Sequence, residues 1–441
     1  MSGMVVGLSG LAGLLVLLVF RVQIAVAMLL AGAAIYVASS DWAWNGLLYT
    51  LSDLVYARLS NYDLAVVPLF ILMGQFATHG GLSRALFQAA GKLIGHWRGG
   101  MAMASVAACA SFGAICGSSL ATAATMGQVA LPELRAHGYS GRLATGTLAA
   151  SGTLGILIPP SVPLIIYAVL VQDSIGKLFM AAVIPGILAA LGYLIVIRIL
   201  VTRNPESGPT GTKAPRAEAL AALMRTVPIM LVFVVVVVGI YGGWANPTEA
   251  ASIGAGACGL IALANGMRWE GTRQSLLGTA RVTGMIFMVL IGADLLNSSL
   301  ALSQMPHELA QWVIDSGLSP MMVLFVILLI YILLGCVMDS LAMILLTIPI
   351  FYPMIMGLDF FGLPAGDKSV WFGIMTLMVV EIGLVHPPVG MNLYIINKLA
   401  KDVPMKETAL GVMPFLASDF LRIIVLAFFP GITLWLIHAL G

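Results

Sequence analysis

Residues 151–164 read SGTLGILIPPSVPL and lie at the centre of an uncharged run from Leu143 to Gln172. Pro159 and Pro160 donate no backbone hydrogen bond, and Pro159 keeps the residue before it out of helical geometry. An apolar helix that enters this stretch must therefore break at the two prolines. The break frees carbonyl oxygens, which at membrane depth are tolerated only where protein or a water-filled cavity covers them.

The composition indicates that this break lies inside a membrane. The 441 residues are 60% hydrophobic and 9% charged, whereas a soluble domain carries roughly 25% charged residues. We predict an all-α polytopic membrane protein of about a dozen spans or partial spans, beginning with a retained helix at Val5–Phe20. Uncharged stretches of about the length of one crossing are Leu178–Ile197, Thr226–Trp244, Ser316–Met338 and Ile423–Gly441. The four cysteines have no spacing typical of a disulfide framework or a zinc site.

A polar segment at 203–225, RNPESGPTGTKAPRAEALAALMR, divides the chain near its middle. We interpret it as a linker between a first membrane half, 1–202, and a second, 226–441. Its arginines, and those at 268, 273 and 281, predict that both regions face the cytoplasm, with the loop at Asn246 outside. The segment Gly80–Arg98 is amphipathic, which predicts a helix along the membrane interface.

The two halves carry similar motifs in the same order, which predicts an internal duplication. If an odd number of crossings separates them, the halves are inverted repeats with a site at their interface. The linker alone leaves this parity open. The matched segments are FILMGQFATHGGLSRAL from Phe70 with FMVLIGADLLNSSLAL from Phe287, CGSSLATA from Cys116 with MDSLAMI from Met338, and ILIPPSVPLIIY from Ile156 with LVHPPVGMNLYI from Leu384.

The uncharged stretch Gly99–Pro132 is too long for one span and small residues interrupt it. We interpret it as a helix followed by a re-entrant hairpin with its tip at 117–119. A helix-packing face of small residues is the alternative. In the second half, residues 338–340 take the place of this tip, and a second helix break follows at Pro387 and Pro388.

Carbonyl and hydroxyl oxygens at two tips and two breaks predict two equivalent sites for a hard cation such as Na⁺. The positive ends of half-helices at the breaks favour an anionic substrate. Coupling to protons is an alternative with less support from the residue types.

Four ionisable residues stand in apolar stretches. For Asp339 the alternatives are a cation ligand, a gate residue or a charge at a span boundary. Glu381 and Asp294 each have either a functional or a structural role. His386 either satisfies the local backbone or carries protons.

Five motifs together resemble the large membrane subunit of tripartite ATP-independent periplasmic (TRAP) transporters of the dicarboxylate type. The resemblance covers essentially the whole chain, and the ordered set is far more specific than Pro-Pro alone. The motifs are VPLFILMG at Val67, CGSSLATAATMG at Cys116, GTLGILIPPSVPLIIYA at Gly152, NPTEAA at Asn246 and HPPVGMN at His386.

The resemblance implies an elevator-type ion transporter in the bacterial inner membrane, with two re-entrant hairpins and two broken helices. It further implies sodium-coupled uptake of a small organic acid, such as a C4-dicarboxylate or a sugar acid, from a periplasmic binding protein. A small four-helix membrane subunit is implied as a partner, here expected as a separate chain.

The resemblance also implies the site residues. One Na⁺ site falls on Ser118, Ser119, Gly152 and Thr153, and the second on Asp339, Ser340, Gly390 and Asn392. The implied substrate contacts are Ser119, Thr153, Pro160, Ser340, Pro388 and Asn392.

Two other functions compete with this interpretation. A stand-alone sodium-coupled carboxylate carrier would share the architecture without a binding protein, although NPTEAA argues against it. An intramembrane enzyme is disfavoured because the chain has neither HExxH nor a GxSG-type serine motif. No nucleic-acid partner is expected. The sequence does not name the substrate, since selectivity in such a family rests largely with the binding protein.

Overall fold

The computed structural model describes residues 3–40, 42–336 and 338–440, and its regular elements there are all helical. Helices satisfy their own backbone groups, as a membrane interior requires. A short 3₁₀ segment, Tyr62–Ala65, joins α3 to α4. The helices of the first half are α1 (Gly3–Val19), α2 (Ile24–Ser39), α3 (Trp44–Leu59), α4 (Val66–His79), α5 (Leu82–Ile94), α6 (Gly100–Cys116), α7 (Ser119–Ala136), α8 (Gly141–Gly152), α9 (Leu154–Leu157), α10 (Val162–Val171) and α11 (Ile175–Arg203).

The second half begins after an irregular segment at 204–215 that contains one 3₁₀ turn, Pro205–Ser207. Residues 216–225, which the sequence analysis included in the linker, already belong to a helix because they are mostly strong helix formers. The helices of the second half are α12 (Arg216–Tyr241), α13 (Pro247–Ala264), α14 (Trp269–Leu302), α15 (Met305–Asp315), α16 (Pro320–Gly335), α17 (Ser340–Met356), α18 (Ala365–Val385), α19 (Met391–Leu399), α20 (Met405–Phe428) and α21 (Pro430–Leu440).

Within the described ranges, six helices are long and apolar enough to cross a membrane: α11, α12, α13, α14, α18 and α20. The pair α3–α4 is bent by 58° and the pair α8–α10 by 41°, so each can also form one bent span. The prediction of one continuous span over Ile423–Gly441 is wrong. Helix α20 ends at Phe428 and α21 starts at Pro430, because proline cannot donate the backbone hydrogen bond that would continue the helix.

The helices repeat in order, α4 to α11 in the first half and α14 to α20 in the second. Helices α6 and α7 form the first hairpin and α16 and α17 the second, while α8–α10 and α18–α19 are the two broken helices. The predicted amphipathic segment is α5. Its counterpart α15 is also amphipathic, which the sequence analysis missed because α15 contains no Lys or Arg.

Counting crossings between equivalent points gives the orientation of the repeats. From the end of α4 to the end of α14 the chain crosses through α8–α10, α11, α12, α13 and α14, while the first hairpin returns to its own side. This number is odd, so the halves are inverted repeats, which resolves the parity that the linker alone leaves open. The segment 204–215 and the turn 265–268 then share one side, and the turn 242–246 lies on the other. The positive-inside rule assigns the first side to the cytoplasm.

The helices form two bodies. The arm body comprises residues 3–79 and 216–302 within the described ranges, where α2 packs on α14 and α4 on α13, while α5 and α15 pack on helices of both bodies. The hairpin body comprises residues 100–203 and 320–440. Inside the hairpin body the halves exchange partners, since α7 packs on α19, α8 on α20 and α10 on α17. The broken helices therefore interlock across the two halves, and α18 is buried from Lys368 to Val385.

Candidate functional site

The tip of the first hairpin lies at Gly117 and Ser118, as predicted. Gly117 has a φ of +63° and ends α6, a conformation that favours glycine. The Ser118 hydroxyl accepts the N–H of Ala121 at 3.4 Å and thereby caps α7. The carbonyl of Gly117 accepts the N–H of Val162 at 3.4 Å. The first tip is thus held directly against the first helix break.

The second tip repeats this arrangement with a charged cap. Asp339 Oδ1 accepts the N–H of Ala342 at 3.1 Å and caps α17. Asp339 therefore occupies the position of Ser118, and Ser340 that of Ser119. The thiol of Cys336 lies 3.7 Å from Nδ1 of His386, so this tip contacts the second helix break.

Both tips line one small cavity between the two bodies. Its volume is about 100 Å³, and it also touches α4 and α14 of the arm body. A larger neighbouring cavity of about 440 Å³ contains Asp339, and Ile286 and Leu341 line both cavities. The walls of the smaller cavity include Gln75, Gly117, Ser118, Ile286, Ser340 and Leu341. The structure thus brings the two predicted tips to one place at the interface of the bodies.

Oxygen atoms converge on Gly155, just after the start of the short helix α9. A Cβ atom at Gly155 would lie 2.5 Å from Oγ1 of Thr122 and 2.9 Å from the carbonyl of Ser118. The hydroxyls of Thr122 and Ser161 are buried and make no hydrogen bond to another described residue. Buried hydroxyls usually have a partner, so the hydroxyl of Thr122 beside Gly155 is a candidate cation ligand. The sequence analysis named neither Thr122 nor Ser161, since a threonine or a serine in an apolar helix carries no signal of its own.

Glycine pairs bring each hairpin against its broken helix. A Cβ at Gly113 would lie 2.4 Å from Cα of Gly155, and one at Gly335 would lie 2.8 Å from Cα of Gly383. Small residues allow helix backbones to approach closely in membranes. The same contact in both halves supports the duplication.

The second break differs from the first in exposure. Pro160 is buried beneath the first tip, whereas Pro388 is exposed. Gly390 has a φ of +52°, and a Cβ there would lie 3.1 Å from the carbonyl oxygens of Leu384 and of His386. Two backbone carbonyls are therefore gathered around the predicted ligand Gly390.

Asn392 lies against the first half. The sequence analysis grouped it with Asp339, but a Cβ at Gly152 would lie 3.3 Å from its Nδ2 atom. Asn392 is fully buried, and neither atom of its amide has a hydrogen-bond partner among the described residues. The packing of α19 on α7 and α8 brings it there, so residues from both halves contribute to the region around the first break.

The available donors define the kind of cation that fits. In the described residues no group of three or more His, Cys, Asp or Glu side chains is placed to hold a metal ion. The oxygens near the breaks belong to hydroxyls, an amide and backbone carbonyls. Such a set fits a hard cation such as Na⁺ and does not suit zinc or another transition metal.

A buried charged cluster lies behind the two breaks. Nη2 of Arg422 in α20 lies 3.2 Å from Glu381 in α18 and 3.1 Å from Asp419. The phenol of Tyr193 donates to Asp419 at 2.8 Å, and the hydroxyl of Thr153 lies 3.3 Å from that phenol. Glu381 is therefore paired with an arginine that sequence analysis did not single out, and Thr153 contacts this cluster and does not line the cavity between the tips.

Asp294 also has a structural partner. Its carboxylate forms a two-point ion pair with the guanidinium of Arg58, which joins α3 to α14 within the arm body. Of the two alternatives for Asp294, a functional or a structural carboxylate, this ion pair supports the structural one.

Paired hairpins, paired broken helices and inverted repeats define a membrane transporter fold. The structure is similar to that of the YdaH transporter of Alcanivorax borkumensis, with a TM-score of 0.66 and 14% sequence identity, covering 97% of this chain and 100% of that one.

The family follows from sequence comparison. Residues 11–432 match the model of the tripartite ATP-independent periplasmic transporter DctM component. The chain is 35% identical to the C4-dicarboxylate TRAP transporter large permease protein DctM of Pseudomonas aeruginosa over 394 residues, covering 89% of this chain and 90% of that one. It is 30% identical to the sialic acid TRAP transporter large permease protein SiaM of Vibrio cholerae, covering 86% and 87%.

The chain therefore belongs to the DctM family of TRAP transporter large permeases, as the sequence motifs predicted. It is a multi-pass protein of the inner membrane. Both of the relatives named above are transporter permeases.

Proposed function

We propose that this chain couples the uptake of a small organic acid anion to a sodium gradient, as the large permease of a tripartite transporter. The observation that carries the proposal is the meeting of both hairpin tips at one cavity against helices α4 and α14. A solute held there contacts the hairpin body on one side and the arm body on the other.

The names of the relatives support an organic acid as the substrate. Relatives are named for C4-dicarboxylates and sialic acid, and a permease of Oleidesulfovibrio alaskensis, 28% identical over 421 residues, is named for isethionate. The N-termini of α7 and α17 lie at the cavity, and their positive dipole ends favour an anion. Of the substrate contacts implied by the motifs, Ser340 lines the cavity, whereas Thr153 does not.

Sodium coupling rests on the oxygen donors. The carbonyl of Ser118 and the hydroxyl of Thr122 both lie beside Gly155, and the carbonyls of Leu384 and His386 lie beside Gly390. A cation bound at either place offsets the negative charge of the substrate. It also holds a tip against its break, which links cation binding to closure of the site.

The division into two bodies supports an elevator mechanism. The hairpin body interlocks within itself through α7–α19, α8–α20 and α10–α17. It can therefore move as one unit along the arm body and carry the substrate with it. The binding protein delivers the substrate from the periplasm, and the small membrane subunit supports the arm body.

Uptake in proteoliposomes tests the proposal. The purified permease with its small subunit should accumulate a labelled organic acid only when its binding protein and an inward sodium gradient are present. Replacing the sodium gradient by a potassium gradient, or by a proton gradient alone, serves as the control. Transport of free substrate by this chain alone would favour the stand-alone carrier and contradict the tripartite function.

A further inference from the structure

Arg281 is a cationic side chain inside the long helix α14. It is exposed, and it has no carboxylate partner among the residues that the structure describes. Arg58 and Arg422, by contrast, are both paired with buried acids. An arginine inside a membrane helix either extends to the interface or faces the protein interior or a cavity, and Arg281 lines a cavity.

The cavity beside Arg281 has the size of a small-molecule site. Its volume is about 440 Å³, within the range of roughly 300–1,000 Å³ for ligand pockets. Gln23 and Arg281 of the arm body and Asp339 of the second tip line its walls. Because Ile286 and Leu341 line this cavity and the smaller one between the tips, the two are neighbours.

Contacts between α4 and α14 indicate how deep in the membrane the cavity lies. The hydroxyl of Ser275 lies 3.1 Å from Nδ1 of His79, the last residue of α4. Arg281 follows Ser275 by six residues, so it lies about 9 Å deeper than the end of α4. Since α14 starts on the side of the basic linker, the cavity lies toward the cytoplasmic end of the path from the tips.

We propose that Arg281 binds the anionic group of the substrate in this cavity as the substrate passes between the hairpin tips and the cytoplasm. The inference rests on the proposed function and adds a substrate-binding residue outside the hairpins and breaks. A guanidinium offers two parallel N–H donors to a carboxylate or a sulfonate. Arg281 belongs to the arm body, so it attracts the anion at a fixed place while Asp339 moves with the hairpin body.

The opposite charges of Arg281 and Asp339 favour movement of the anionic substrate through the cavity in one direction. The carboxylate of Asp339 repels an anionic substrate unless a cation neutralises it, and Arg281 attracts the same substrate. Loss of the cation from the second tip therefore favours transfer of the substrate from the tip to Arg281. Cation release and substrate release are thereby ordered on the cytoplasmic side.

An assay of substrate exchange in proteoliposomes measures binding at the cytoplasm-facing site separately from binding at the periplasmic face. The binding protein, supplied outside with labelled substrate, serves only permeases whose periplasmic face points outward. The internal substrate concentration that gives half-maximal exchange then reports the cytoplasm-facing site. Arg281→Ala should raise this concentration about tenfold, the loss expected for one charged hydrogen bond. The external substrate concentration that gives half-maximal exchange and the maximal rate should each change less than twofold. Arg281→Lys should recover part of the lost internal affinity.

Arg273→Ala is the matched control, because Arg273 lies on the same helix and pairs with Glu270 at the surface. It should leave the internal concentration dependence unchanged. Thermal unfolding of each variant verifies that it is folded, and Arg281→Gln replaces Arg281→Ala if the latter is not.

Two results would overturn the inference. One is an unchanged internal half-maximal concentration in folded Arg281 variants. The other is an effect confined to vesicles that contain phosphatidylglycerol and lost in phosphatidylcholine alone, because Arg281 would then bind a lipid phosphate. Absence of binding-protein-dependent exchange in the unmodified permease would instead contradict the proposed function itself.

Discussion

Arg422 lies 3.2 Å from Glu381, and both side chains are buried in the interior of the hairpin body. The pair joins α20 to α18, the first part of the second broken helix. Asp419 adds a second carboxylate 3.1 Å from the same guanidinium nitrogen. Because Tyr193 connects Asp419 to Thr153, the cluster also reaches the first break. One set of buried polar groups thus spans both broken helices.

Removing the charge of Arg422 should destabilise the protein strongly. Arg422→Gln leaves Glu381 and Asp419 buried without their cation, and breaking a buried pair in this way costs about 3–5 kcal/mol. We expect a clear fall in the thermal unfolding midpoint of the purified permease. Arg273→Gln, which removes an exposed pair with Glu270, is the control and should have no measurable effect. Equal midpoints for the two variants would show that the Arg422 cluster is not stabilising.

A methyl group at Gly155 should abolish transport. A Cβ there would lie 2.5 Å from Oγ1 of Thr122 and 2.9 Å from the carbonyl of Ser118, and a packed interior cannot absorb such overlap without moving the first tip. Initial rates of uptake should fall to background in Gly155→Ala. Gly256→Ala in α13 is the control, since a Cβ there would meet no atom within 4 Å. Near-normal uptake by Gly155→Ala would mean that the tip does not need to close on the break.

The first cation site should depend on hydroxyl groups at the first tip. We expect Ser118→Ala, Ser119→Ala and Thr122→Val each to raise the sodium concentration for half-maximal uptake, with Thr122→Val raising it about tenfold through the loss of one ligand. Thr226→Val is a matched control, because Thr226 in α12 is buried and bonded to its own helix. A sodium titration checks the prediction. Full sodium-dependent uptake in all three tip variants would place the site elsewhere.

Two substitutions of Asp339 separate its charge from its capping role. Asparagine caps a helix about as well as aspartate, whereas alanine loses about 1 kcal/mol of capping free energy. Asp339→Asn should therefore keep the unfolding midpoint of the unmodified protein, while Asp339→Ala lowers it. Both variants should weaken the sodium dependence of uptake, because both remove the carboxylate. If Asp339→Asn has an unaltered sodium titration, Asp339 is only a helix cap.

The repeat and the breaks could be predicted from sequence because local chemistry determines them. Pro159–Pro160 and Pro387–Pro388 exclude a continuous helix whatever surrounds them. The tip at Gly117 and Ser118 also follows from a local signal, a glycine that permits positive φ followed by a capping residue. The membrane class follows from composition, and the family from the order of five motifs.

Tertiary structure decided which of these local features meet. Asn392 comes to lie beside Gly152, and Arg422 beside Glu381, because helices from opposite halves interlock. Neither contact produces a recognisable spacing of residues in the sequence. The two partners of each contact are separated by folded segments, and the packing of these segments sets the distance between the partners. Pro159 and Pro160 in the motif at 151–164 determined by themselves that the helix breaks there. Only the packing of inverted repeats determined that Gly155 and Gly152 lie beside Thr122 and Asn392, and that Arg281 shares a cavity with Asp339.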